Sequence, residues 1–307
     1  MKSKSLTALA LSALCGFTVS SRAADIVNDT FSDGTRTDPA APTYSENGFD
    51  ADADGSIESA WFTSGTGATI PTTPGHAVFT MGTSSASWTS YITPTGSPVS
   101  LVNAGDQVKL TWQFTPAGVG AGNTSQNLRV AFVNSPTASR VSADGTTPPS
   151  AAYTGYSLFM NMGNTLGNAN PFQLRERDGT SSALLSSSTP WLALAGTGTS
   201  GNHGFDSGML YTFVLSLTRN GAGGIDIDAS MSGGTLNGTG LEQLTYTDAN
   251  GNGFAFDTIE IRPSDAASTA SSFDTSLVRV EYIVPEPSSL ALLGLGALCV
   301  LRRSRKS

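Results

Sequence analysis

The 307 residues carry 24 acidic against 16 basic side chains, a formal charge of −8, with 34 glycines and only two cysteines. Seven of the cations fall in residues 1–23 and 285–307, so residues 24–284 hold nine cations against 23 acids, a balance of −14. A region this acidic, with Lys109 as its single lysine, argues against nucleic acid or an anionic membrane surface as partner. Cys15 and Cys299 both lie outside it, so its core forms without disulfides.

Taken in chain order, residues 1–23 read as a secretory signal helix. Lys2 and Lys4 precede an apolar stretch from Leu6 to Val19, and Ser21-Arg22-Ala23 places small residues at the two positions that a signal peptidase reads, with cleavage after Ala23. Leu14 stands before Cys15 where a lipoprotein would carry a small residue, so lipid attachment is not expected.

Residues 24–284 form the body. The first motif with chemistry in it is Asp50-Ala51-Asp52-Ala53-Asp54-Gly55. Carboxylates at alternate positions can converge on one hard cation, calcium above all, and Gly55 permits the turn. The loop starts like an EF-hand loop, but its twelfth position is Trp61 in place of a bidentate Glu, so an acidic solvated loop is the alternative reading.

From residue 77 onward the pattern is period-two alternation broken by turns. Strands are predicted at 77–81 and 88–92. Val108, Leu110, Trp112 and Phe114 share one face, as do Leu128, Val130 and Phe132, and then Tyr156, Leu158 and Met160. Phe172 and Leu174 alternate with Gln173, Arg175 and Arg177. The strongest element is 211–219, followed by the turn Asn220-Gly221-Ala222-Gly223-Gly224 and a return strand carrying Ile225, Ile227, Ala229 and Met231. Further strands are predicted at 241–247, 256–261 and 277–284, and no body window of twelve residues shows a helical stripe. Around a dozen short strands of this spacing predict an all-β fold, an antiparallel β-sandwich of two packed sheets.

Catalytic motifs are thin. Asp226 and Asp228 share a strand face and could act as acid and nucleophile, but the polar outer face of an amphipathic strand explains them better. His76 and His203 sit in glycine-rich loops, and there is no Gly-x-Ser-x-Gly elbow, Walker loop or zinc-ligand cluster. Trp112 alternates with core residues. Trp61, Trp88 and Trp191 lie near strand ends or loops, where an exposed indole can stack on a sugar ring, although core packing is the commoner fate of Trp. The hairpin and the closing strands resemble concanavalin-A-like and laminin-G-like jelly rolls. That resemblance implies a sandwich scaffold and, by analogy, extracellular polysaccharide as a partner.

Residues 285–307 close the chain with Pro285-Glu286-Pro287, an apolar run from Ser288 to Leu301, and the basic tail Arg302, Arg303, Arg305 and Lys306. As a short apolar helix the run spans roughly 21 Å against a hydrocarbon core of about 30 Å, a marginal transmembrane helix with its basic end in the cytoplasm. Motif, weak span and basic end together resemble the PEP-CTERM sorting signal of Gram-negative, biofilm-forming bacteria. The resemblance implies that an exosortase recognises Pro285-Glu286-Pro287 and processes the protein beyond it. The chain is therefore expected to be an exported surface or matrix protein with a non-catalytic body. A glycan-active hydrolase or lyase and a calcium-dependent adhesin are the alternatives.

Overall fold

The computed structural model describes residues 21–37, 45, 47–122, 124–136, 140–266 and 269–285. The chain divides into a unit Ala23–Val284, which carries the fold, and a second, Met1–Arg22 with Pro285–Ser307. Of the second unit only Ser21, Arg22 and Pro285 are among the described residues. The expected signal helix and apolar tail helix both lie outside them. Among the described residues no helix is long and apolar enough to cross a membrane.

Residues 107–117 show how the sequence builds the body. Val108, Leu110, Trp112 and Phe114 alternate with Lys109, Thr111 and Gln113, so an extended chain puts one apolar and one polar face on opposite sides. The apolar face must be covered, and it forms β7 (Gln107–Ala117) in the middle of an eight-stranded antiparallel sheet. In order, that sheet runs β14 (Leu241–Asp248), β13 (Ile225–Ser232), β12 (Tyr211–Arg219), β7, β17 (Ser272–Pro285), β4 (His76–Thr80) and β3 (Thr72–Thr73), with β1 (Ser21–Asp29) also pairing β17. The predicted hairpin is β12–β13. In its turn Asn220 Oδ1 accepts from the Ala222 and Gly224 amides at 3.1 and 2.9 Å, and Gly223 turns at φ 94°.

The second sheet has seven strands in the order β11 (Trp191–Thr197), β10 (Phe172–Arg177), β9 (Thr154–Met160), β8 (Leu128–Asn134), β16 (Thr258–Pro263), β5 (Ser87–Tyr91) and β2 (Trp61–Ser64). A short pair joins β6 (Val99–Ser100) to β15 (Ala255–Phe256). The inner faces of the two large sheets share one core. Phe79 of the eight-stranded sheet meets Trp61 and Trp88 of the other at ring-centroid distances of 4.9 and 5.1 Å, and Trp112 stacks on Phe114 at 4.0 Å. Aromatic pairs of this kind add about 0.5–1.5 kcal/mol each beyond the area they bury. The fold is the expected all-β, two-sheet antiparallel sandwich, with short 3-10 turns at Ser150–Ala152 and Leu236–Gly238.

Candidate functional site

The closing strand β17 leads directly into the tail motif. Phe273 and Thr275 face the core at its start and Val278 and Val280 after a bulge, and the strand ends at Pro285, whose ring has no amide hydrogen to continue a ladder. Glu286, Pro287, Arg302, Arg303, Arg305 and Lys306 lie outside the described residues. Ala23, the expected cleavage position, is on β1 in its exposed first half.

The acidic loop brings its carboxylates together. One oxygen each from Asp50, Asp52 and Asp54 lie within 4.8 Å of one another. Backbone amides hold them in place. Asp50 accepts from Ala53 and Gly55 at 2.6 and 3.0 Å, Asp52 from Asp54 at 3.2 Å, and Asp54 from Ser56 at 2.7 Å and from the Ser32 hydroxyl at 2.6 Å. The last two bonds, that of Ser32 first, hold Asp54 below the ordinary carboxylate range. Gly55 sits at φ 96°, the left-handed turn that the sequence anticipates. A hard, all-oxygen donor set on a tight turn fits calcium.

The indoles require a correction. Trp61 and Trp88 are 0% exposed and Trp191 is 3% exposed, so none presents a face on which a sugar could stack. Trp61 and Trp88 face inward between the sheets, where burial of a large ring outweighs any surface role. Trp191 lies on the other side of the seven-stranded sheet, with its Nε1 donating to the Leu184 carbonyl at 2.6 Å.

Asp226 and Asp228 point away from the core on β13. Asp226 Oδ1 accepts from Asn220 Nδ2 at 3.1 Å and from the Thr247 hydroxyl at 2.8 Å, which makes it a brace for the hairpin. The two histidines are far apart in the fold as in the sequence. His76 meets Asp274 at 3.1 Å and His203 meets Asp206 at 2.8 Å.

The seven-stranded sheet has an outer face that the sequence did not reveal as buried. Residues 140–153 and 178–190 fold across it and form small apolar clusters there: Ala131, Val133, Tyr153, Phe159, Leu184, Leu185 and Trp191 in one, and Phe62, Tyr91 and Val141 in the other. Two buried arginines fasten these loops. Arg140 pairs with Asp257 at 2.8 Å, donates to the Thr93 carbonyl at 2.5 Å and lies 4.5 Å from the Tyr91 ring centroid. Arg177 donates to the carbonyls of Ser150 and Ser181 at 2.9 and 2.6 Å and covers Trp191 at 5.3 Å. Between them Glu260 is sealed from water, and burial lifts its carboxyl to about 7 against the opposing pull of Arg262 and Arg177. The one signal in the sequence is arginine at outward-facing positions 175 and 177, which alternation alone reads as a wetted face.

Residues 284–306 match the family model of the PEP-CTERM protein-sorting motif. The chain thus carries that motif, which indicates an exported, cell-surface-directed protein. No curated protein matches the chain. Among solved structures the chain is similar to the carbohydrate recognition domain of Emp47p, with 13% identity, a TM-score of 0.42 and coverage of 78% of this chain and 94% of that one. It is also similar to the seed lectin of Lotus tetragonolobus, at 9% identity, TM-score 0.43 and coverage of 80% and 97%. A third is the exoplasmic/lumenal domain of VIP36 in its Ca2+/Man2-bound form, at 12% identity, TM-score 0.43 and coverage of 72% and 80%. At this level of similarity no residue, ligand or activity passes from them to this chain.

Proposed function

We propose that this is an exported protein delivered to the cell surface or extracellular matrix through its tail, with a non-catalytic body that engages extracellular polysaccharide. The observation that carries the reading is the PEP-CTERM motif at 284–306, joined without a linker to the strand that closes the sandwich. Residues 1–23 direct export, a signal peptidase cuts after Ala23, and the apolar run from Ser288 holds the chain briefly in the membrane. An exosortase then processes it near Pro285-Glu286-Pro287. The state of the body's carboxylates supports a binding role over catalysis. Asp257 and Glu260 are sealed under loops, and of the two acids that line the open groove between β13 and β14, Asp226 is committed to bracing the hairpin through Asn220 and Thr247. Converting Pro285-Glu286-Pro287 to Ala-Ala-Ala is expected to leave export intact and to leave the unprocessed form in the membrane fraction. Normal processing and surface display of that variant would overturn the reading.

A second reading, a calcium-dependent adhesin, is favoured by the convergence of Asp50, Asp52 and Asp54 within 4.8 Å. Calcium held about 100-fold above its Kd would add about 2.7 kcal/mol, a rise in Tm of about 5–10 °C for a domain of this size. EDTA should abolish the rise, and the D50N/D52N/D54N variant should melt at one temperature with or without calcium. A wild-type Tm indifferent to calcium removes this reading.

A further inference from the structure

At one end of the seven-stranded sheet, where β8 and β10 begin and β9 and β16 finish, the outer face is only partly covered: the 178–190 loop packs Leu184 and Leu185 on Phe159 and reaches Arg129, while the arginines around that ring stay partly open. The alternation that turns Leu128, Val130, Ile261, Phe172 and Leu174 inward turns Arg129, Arg262, Gln173 and Arg175 outward there. Register then lines them up. Arg262 lies directly opposite Arg129, Arg129 opposite Phe159, and Phe159 opposite Gln173, with Arg175 one step further along β10. At a strand spacing of about 4.8 Å the row is about 14 Å long.

This is a costly arrangement for a sheet. Like charges directly opposite one another are destabilising, and Arg129 and Arg175 also share the Phe159 ring, at 4.5 and 4.7 Å from its centroid. Arg129 Nε donates to the Gln126 carbonyl at 3.1 Å and its Nη1 to the Leu185 carbonyl at 2.5 Å, while Arg175 Nη1 donates to the Trp191 carbonyl at 3.2 Å and its Nη2 to Gln126 Oε1 at 3.4 Å. Arg262 donates to the Ser264 hydroxyl at 2.5 Å. Among the described residues none of the three forms an ion pair, although the body carries 23 acids against nine cations. All three remain partly open to solvent. Burial, together with Arg262 and Arg175, presses Arg129 down to about 10, as expected where cations crowd, and the one acid that acts on Arg262 is the buried Glu260.

We propose that this end of the sheet binds an acidic saccharide chain, with Arg129, Arg175 and Arg262 taking its carboxylate or sulfate groups and the Gln173 amide its hydroxyls. Arginine suits the task because its planar fork grips such anions with two parallel hydrogen bonds. At physiological salt the field of the acidic remainder of the body fades within about 8 Å and leaves the local patch free to act. The proposal rests on the polysaccharide reading above and adds the place and the charge class.

Affinity electrophoresis of the purified protein tests it, in gels holding polygalacturonate, dextran sulfate, neutral dextran or single-stranded DNA. Retardation by one of the two acidic polysaccharides is expected, weakening as salt rises. The R129Q/R175Q/R262Q variant, checked for fold by circular dichroism, should lose about tenfold or more of that affinity. The R129K/R175K/R262K variant should keep part of it. If the triple glutamine variant does not fold, Arg262→Gln alone should still weaken retardation. Undiminished binding by folded glutamine variants overturns the site. Retardation by neutral dextran alone overturns the charge class and leaves the polysaccharide reading standing. No retardation in any polysaccharide gel overturns both, and equal retardation by DNA overturns the saccharide assignment.

Discussion

Asp29, the last residue of β1, is 1% exposed. It accepts from the Phe31 amide at 2.7 Å, from the Ser59 amide at 3.0 Å and from the Ser59 hydroxyl. Burial outweighs these three bonds and lifts the group to about 7. An unfolded aspartate titrates near 3.9, so between about pH 4 and pH 7 the folded chain holds a proton that the unfolded chain has lost. Stability then falls as pH rises through that window, by up to about 1.4 kcal/mol per pH unit for this group, and levels off above it. Asp29→Asn mimics the protonated form and should flatten the slope by that amount. Urea unfolding between pH 4 and pH 8 measures it, and an unchanged slope in the variant would mean that Asp29 is ionised in the fold throughout. Glu260, lifted to about 7 under the loops, contributes a slope of the same sign that Asp29→Asn leaves in place.

At the scale of elements, strands with one unbroken alternation were legible in the sequence. The expected strand at 211–219 is β12, with the same bounds, and its turn and return strand follow as read. The closing strand was read only from residue 277, yet β17 starts at Ser272. Between Thr275 and Leu277 the register with β7 shifts, so inward positions pass from odd (Phe273, Thr275) to even (Val278, Val280). A bulge of this kind cancels a period-two signal while keeping the strand whole. Trp61 and Trp88 show the converse limit. Both stand on four- and five-residue strands with every position buried, where no alternation of apolar and polar residues marks the inward side. The cover over the outer face at Arg177 was not legible for a third reason. What covers a sheet is decided by loops distant in sequence, and both Nη groups of Arg177 donate to carbonyls of those loops. The acidic loop was legible because its carboxylates are neighbours in the chain. The row from Arg262 to Gln173 was not, because four strands must pair before it exists.

For the whole molecule, net charge described the average surface and missed its distribution: five of the body's nine cations, Arg129, Arg140, Arg175, Arg177 and Arg262, belong to one side of one sheet or to the loops over it. The tail, by contrast, was readable as a unit because its parts are contiguous in sequence. The structure adds how the strand before it is held in the body. β17 lies between β7 and β4, pairs with β7 from Ser272 opposite Ala117 to Ile283 opposite Gln107, and gives Phe273, Val278 and Val280 to the core. Its Thr275 hydroxyl also accepts from Trp112 Nε1 at 3.0 Å. Three such side chains contribute about 1.5–3 kcal/mol each, comparable to the whole stability of an ordinary domain, before the lost ladder is considered. Removal of residues 285–307 and 1–23 should therefore leave a fragment, 24–284, that melts within about 2 °C of the full chain. Truncation at residue 271 should leave no cooperative transition. Circular dichroism melts of the two fragments decide it. A fragment 24–284 that does not fold would show that the tail contributes to the sandwich it delivers, and a cooperative melt of 24–271 would show that β17 is dispensable to the sheet.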